Sequence, residues 1–191
     1  MCGTGPYTLR PMAGSDADAV RTLWKSRFGG DAGTRASWVD AVLDPGRSAI
    51  GTVAVPHGNG PVVAFGILEI GDDTYTRQYL SLHPLDLDPP LASQNGILHM
   101  YCVRSDWEGQ GLGTALYTRH LQDLAEREIP RAFGIAWHRL HTVDSRALFE
   151  KHRFRSLATV ERYYERFEKR LKCPDCGANC TCTASLYTRK V

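Results

Sequence analysis

The stretch EGQGLG at 108–113 sets Gly109, Gly111 and Gly113 on alternate positions. It lies between a run that alternates as a strand, ILHMYCV at 97–103, and a run with helical spacing from Leu112 to about Glu128. Glycine is among the most helix-averse residues, so three of them at a helix start demand a reason. A glycine-rich turn there lets backbone N–H groups converge on an anion, and the positive helix end adds to the attraction. Phosphate is the natural guest. Two familiar phosphate loops do not fit. No Gly-Lys pair exists for a P-loop, and G-x-G-x-x-G fails because Thr114 or Leu116 stands where its last glycine belongs.

The rest of the chain reads as alternating strands and helices. YTLRPM at 7–12 predicts a strand, followed by a helix with Ser15 as N-cap and Ala17, Val20 and Trp24 on one face. A second short helix is expected at 34–43, ended by Asp44-Pro45-Gly46. SAIGTVAV and VVAFGILEI flank PHGNGP, which predicts an antiparallel hairpin. Residues 71–96 show no clean period and carry three prolines, so they read as a long loop, either a lid or a mobile insertion. After the glycine turn, Tyr117, Leu121 and Leu124 share one helix face. A strand at 132–137, a short helix DSRALFEKH that Asp144 can cap, and the strands FRSLATV and ASLYTRKV complete the order. Glu165/Lys169 and Glu168/Lys172 at i, i+4 spacing predict a solvated helix in ERYYERFEKRLK. This is the order of an α/β domain with a mixed sheet.

With 191 residues, one domain spanning 1–191 is the expectation, with a Cys-rich insertion at about 173–182 before the last strand. Lys plus Arg (23) nearly balances Asp plus Glu (21), which argues against nucleic acid or a membrane as the main partner. No apolar run approaches the roughly 20 residues of a membrane span, and the N-terminus lacks a signal-peptide pattern, so a cytoplasmic location is expected.

Glu108-Gly109-Gln110-Gly111-Leu112-Gly113 resembles the Q/R-x-x-G-x-G/A signature of the GNAT superfamily of acetyl-CoA-dependent N-acyltransferases. The resemblance extends over most of the chain: the opening YTLRP and its helix, the strand LHMYCV, and TVDSRALFEKHRF, which looks like N-x-x-A-x-x-L-Y-x-K-x-G-F. It implies a mixed, largely antiparallel sheet with flanking helices, splayed at its central strands for the acyl-CoA. It also implies cofactor contacts from Tyr101, Cys102 and Val103 on the strand, from Glu108 through Thr114 in the loop and helix start, and from Thr142 and Phe149 further on. Two departures stand out. Glu108 replaces the usual Gln or Arg beside the implied phosphate site, and Phe149 replaces a frequent tyrosine, so its ring cannot protonate a leaving thiolate.

The implied reaction needs an oriented amine, a proton acceptor and oxyanion support, and no metal. Alternation puts Ile97, His99, Tyr101 and Val103 on one face of their strand, and His99 is the sharpest base candidate. It matches the second of two strand histidines in the arylalkylamine N-acetyltransferases, while Ile97 stands for the first. A buried structural histidine is the alternative. Tyr163 and Tyr164 resemble paired tyrosines of ribosomal-protein and N-terminal amine acetyltransferases and are the proton-donor candidates, with aromatic packing as their alternative role.

Cys173, Cys176, Cys180 and Cys182 form CPDCGANCTC, whose C-P-x-C-G half has the form of a structural zinc knuckle. A redox-sensitive thiol cluster and an empty surface loop are the competing readings. The expected function is therefore transfer of an acetyl group from acetyl-CoA to a primary amine on a protein or small molecule. The alternative is a catalytically weak acyl-CoA-binding module whose zinc loop contacts a partner; a homodimer stays open.

Overall fold

The computed structural model describes residues 5–29, 32–58, 60–80, 87, 90–139, 145–165, 173–177 and 180–191, with the side chains of the second helix described from Ser37 onward. Its strands are β1 (Tyr7–Pro11), β2 (Ala49–Pro56), β3 (Ala64–Gly71), β4 (Asn95–Val103), β5 (Arg131–Trp137), β6 (Arg155–Val160) and β7 (Ala184–Lys190). Its α-helices are α1 (Ala17–Phe28), α2 (Ala32–Leu43), α3 (Asp73–Leu80), α4 (Leu112–Glu126) and α5 (Arg146–Lys151). One seven-stranded sheet runs β1-β2-β3-β4-β5-β7-β6, and every neighbouring pair is antiparallel except β4 with β5.

Cross-strand registry explains how the sheet is covered on both faces. Val53 lies opposite Phe65, Phe65 opposite Cys102, and Ile67 opposite Met100. These side chains pack together against Val20, Leu23 and Trp24 of α1 and Trp38 of α2. On the other face Leu98 and Tyr101 meet Tyr117, Leu121 and Leu124 of α4 and Phe149 of α5. Phe149 is fully buried and stacks on Tyr187 with ring centroids 4.8 Å apart and planes at 2°. Gly134 makes this fit possible, since a Cβ there would lie 2.4 Å from the Phe149 ring.

Four local expectations change. The long loop at 71–96 contains α3, whose start is held by Asp72: its carboxylate accepts from Tyr75 N at 2.7 Å, and its carbonyl from Thr76 N at 2.9 Å. Ser15 does not cap α1; it sits in a 3-10 turn, and the neighbouring Asp16 accepts from Ala13 N and twice from Arg10. The third change is in β4, where a register shift between Leu98 and Met100 leaves His99 as the extra residue of a β-bulge. Residues 161–165, the start of the helix expected in ERYYERFEKRLK, form turns instead, while the rest of that stretch at 166–172 and the capping role of Asp144 lie outside the described residues.

Candidate active site

Strands β4 and β5 pair only at Gly96–Ala132, Ile97–Phe133 and Leu98–Gly134. Beyond Gly134, β5 continues to Trp137 fully paired with β7, while β4 continues to Val103 paired with β3 alone. The two central strands therefore part at His99, and the β5-facing edge of β4 runs on without a strand ladder. Backbone groups on such an edge require another partner, which a ligand can supply.

The glycine turn lies at the end of that edge. Gly109 and Gly111 have φ of +76° and +80°, the left-handed region that favours glycine, and open space lies where a Cβ would project from either. The dihedral angle rather than crowding selects glycine here. Gly111 is the N-cap of α4 and has no side chain with which to cap the helix donors, and the first intrahelical bond runs from Ala115 N to Gly111 O at 2.9 Å. The N–H groups of Leu112, Gly113 and Thr114 thus precede the helix ladder, as an anion cradle requires. The residue types and conformation suit a pyrophosphate. Leu112 packs inward, and Thr114 Oγ1 accepts from Lys151 Nζ of α5 at 3.1 Å. Gln110 is exposed on the turn.

The charge of Glu108 is compensated. Its carboxylate forms an ion pair with Arg27 at the end of α1, and Arg27 Nε also donates to Val103 O at 3.1 Å. The acid that stood out in the sequence thus ties the turn to α1. Neither Arg27 nor this tether was legible in the local pattern.

The bulge places His99 on the same face as Met100, beneath α2 and α3, whereas Tyr101 and Val103 face α4. The alternation expected for His99 and Tyr101 therefore fails, because one extra residue reverses the side-chain order. The His99 side chain is 2% exposed, with its ring against Trp38 (centroids 3.5 Å) and edge-on to Tyr79 (4.8 Å). Its Nδ1 lies 3.1 Å from Glu69 Oε2, a pairing whose angle falls short of an aligned hydrogen bond.

Glu69 also accepts from the Tyr75 hydroxyl at 2.8 Å. Burial raises its pKa, but His99, Tyr75 and Arg47 together outweigh burial and hold it below the ordinary carboxylate value. Burial first, and the Glu69 charge second, push the Tyr75 and Tyr79 phenols up, so both keep their protons. The sequence signal for Glu69 was its position as the one charged residue in VVAFGILEI.

Tyr163 is buried with Leu80, Phe133 and Leu186, and its hydroxyl donates to Tyr79 O at 3.4 Å. Tyr164 packs edge-on to Tyr163 and against Trp137. Tyr79 touches both His99 and Tyr163, so a helix from the expected loop joins the two groups of candidates.

Cys102 is a core residue whose thiol points to Leu23 O and is pushed up to about 12 by burial, so only its backbone faces the parted strands. Tyr101 donates to, or accepts from, His120 Nδ1 at 2.5 Å, and His120 Nε2 reaches Thr52 Oγ1 at 3.0 Å. Burial, with Arg119 adding to it, lowers His120 to about 3, so this fully buried imidazole stays neutral. Thr142 lies outside the described residues.

The four cysteines converge, with all Sγ atoms within 4.8 Å of one another. Cys173–Cys182 and Cys176–Cys182 sulfur separations are 3.8 and 3.4 Å, near the roughly 3.8 Å edge of a tetrahedron built on Zn–S bonds. The knuckle closes through paired bonds between Cys173 and Gly177, and Cys176 N points at Cys173 Sγ at 3.4 Å. Gly177 supplies the required left-handed conformation at φ +78°.

A mixed sheet parted at its one parallel pair, beside a helix entered through a glycine turn, defines the architectural class. The family model described as the acetyltransferase (GNAT) family matches residues 17–154, and the chain belongs to that family. No curated protein matches in sequence. Among solved structures, Arabidopsis thaliana NAA60 in complex with acetyl-CoA superposes with a TM-score of 0.73 at 12% identity, covering 97% of this chain and 98% of that one. The ribosomal-protein-S18-alanine N-acetyltransferase from Escherichia coli gives 0.65 at 16% identity, over 97% and 94%. Ard1 from Thermoplasma volcanium gives 0.63 at 17%, over 97% and 98%. No helix is long and apolar enough among the described residues to cross a membrane.

Proposed function

We propose that the protein is an N-acetyltransferase that transfers the acetyl group of acetyl-CoA to a primary amine by direct attack on the thioester. The observation that carries this reading is the parting of β4 from β5 immediately ahead of the uncapped glycine turn. Gly109 to Thr114 would hold the pyrophosphate through backbone N–H groups, with Arg27 neutralising Glu108 beside it. The free edge of β4 from His99 to Val103 offers backbone donors for the thioester oxygen, where charge develops during attack.

A primary amine with a pKa near about 10 is mostly protonated at neutral pH and must lose a proton before attack. His99 receives it, directly or through water, and Glu69 stabilises the resulting imidazolium. The nitrogen–carbonyl bond forms, the nitrogen sheds its second proton to water, from which the tyrosine donor is restored, the tetrahedral oxyanion collapses, and the carbon–sulfur bond breaks. Tyr163 or Tyr164 supplies a proton to the leaving thiolate; Phe149, an apolar ring in the core, takes no part in that step. The acceptor in this reading is a primary amine of a protein N-terminus, a lysine or a small molecule. The four cysteines are read as a structural zinc site, which four thiolates would close to further ligands.

Thiol release from acetyl-CoA in the presence of a panel of peptides and small amines tests the proposal. Acetylated product from at least one amine supports it. Acetyl-CoA binding with no product from any amine favours a binding module instead.

A further inference from the structure

Asp175 lies inside the cysteine knuckle, between Cys173 and Cys176, and grips Arg139 with both oxygens, at 2.8 and 2.6 Å. The pair is largely shielded from solvent, with side-chain exposures of 9% and 11%. Arg139 Nη1 in turn donates to the carbonyl of Arg27 at 2.5 Å. Arg27 then reaches forward, to Val103 O at the end of β4 and to Glu108 at the mouth of the glycine turn. A parallel apolar path joins the same points: Trp137 packs with Cys173, Cys180 and Cys182, its ring lies under the Arg139 guanidinium at 4.6 Å, and it stacks on Phe28 at 6.3 Å. Arg27 and Phe28 are the last two residues of α1, so both paths end on the helix turn that holds the cofactor loop.

We propose that the four-cysteine site is a metal-dependent brace for the acyl-CoA loop, acting through Arg139 and Arg27 as positioning residues. This rests on the acetyltransferase and zinc readings above. A segment this short has little core of its own, and metal binding supplies the energy that orders it. The metal fixes the knuckle, the knuckle fixes Asp175, and Asp175 holds Arg139 against the end of α1. Release of the metal frees Asp175, leaving Arg139 without its bidentate partner and Arg27 without a fixed helix end. Coupling is reciprocal, so acetyl-CoA must also tighten metal binding by the same factor.

Calorimetric titration of acetyl-CoA, which has no free thiol to compete for zinc, tests the brace in the full-length protein. Wild type and Arg139→Gln are compared with zinc bound and after stripping under reducing conditions. Stripping is expected to raise the wild-type Kd about tenfold, within the usual range of coupling between sites. Arg139→Gln should retain zinc, start from the raised Kd and respond little to stripping. An equal response in both proteins, or in neither, overturns the brace while both binding readings stand. Wild type lacking stoichiometric zinc, or failing to bind acetyl-CoA, overturns the underlying reading and the brace with it. Should Arg139→Gln misfold, Asp175→Asn cuts the same pair from its other side and the same comparison decides.

Discussion

His99 Nδ1 lies 3.1 Å from Glu69 Oε2 at the one bulge between β3 and β4 among the described residues, beside the point where β4 leaves β5. Glu69 stays ionised well into acid because His99, Tyr75 and Arg47 outweigh the effect of its burial. Its contribution to folding is present above the ordinary carboxylate value and is lost as pH falls through the lowered one. His99→Ala should reduce kcat/KM about 10²–10⁴-fold. Glu69→Gln, which removes the charge facing His99, should also lower kcat/KM, but by less than His99→Ala. An unchanged kcat/KM in His99→Ala would refute the base assignment.

The ion pair of Arg27 with Glu108 predicts a specific non-additivity. Arg27→Ala leaves the Glu108 charge uncompensated beside the proposed phosphate site and should weaken acetyl-CoA binding about tenfold. Adding Glu108→Gln should recover part of that loss. If the double variant binds more weakly than Arg27→Ala alone, the glutamate is a ligand rather than a tethered liability. Calorimetry on the four proteins measures this directly.

His120 gives a stability signature independent of catalysis. Burial, and secondarily Arg119, lowers it from 6.5 to about 3, so the unfolded chain takes up a proton over a range where the folded chain does not. Its contribution is fully present above pH 6.5 and is lost as pH falls from there towards 3, with a slope approaching about 1.4 kcal/mol per pH unit. Urea unfolding at a series of pH values should show a shallower acid loss in His120→Gln than in wild type. Parallel curves would mean that His120 is not buried in its neutral form.

The cysteine geometry predicts one zinc per chain in protein purified under reducing conditions. Cys173→Ser should lower zinc affinity strongly, and removal of the metal should lower the melting temperature, because the ligands are ordered by the ion. Elemental analysis finding no stoichiometric zinc in reduced wild-type protein would contradict the metal reading and favour a thiol cluster.

Most of the sheet was legible because strand periodicity is local: VVAFGILEI and ILHMYCV carry their own signal. The glycine turn was legible for a related reason, since only backbone conformation and helix polarity are needed to read it. Helix α3 was not, because DTYTRQYL buries only Thr76 and Leu80 and its signals are polar: the Asp72 cap and the Asp73–Arg77 pair. The bulge at His99 was hidden because a register shift is a property of two strands, not one. Arg27–Glu108 and Arg139–Asp175 join residues far apart in the chain, and nothing local announces either partner.

The most direct test of the central claim is an initial-rate study of thiol release with acetyl-CoA and the best amine varied together. Direct attack predicts release only when both are present, with initial-rate lines that intersect. A stoichiometric burst of thiol without amine would reveal an acyl-enzyme, and no release with any amine would leave the protein a binding module; either result contradicts the account.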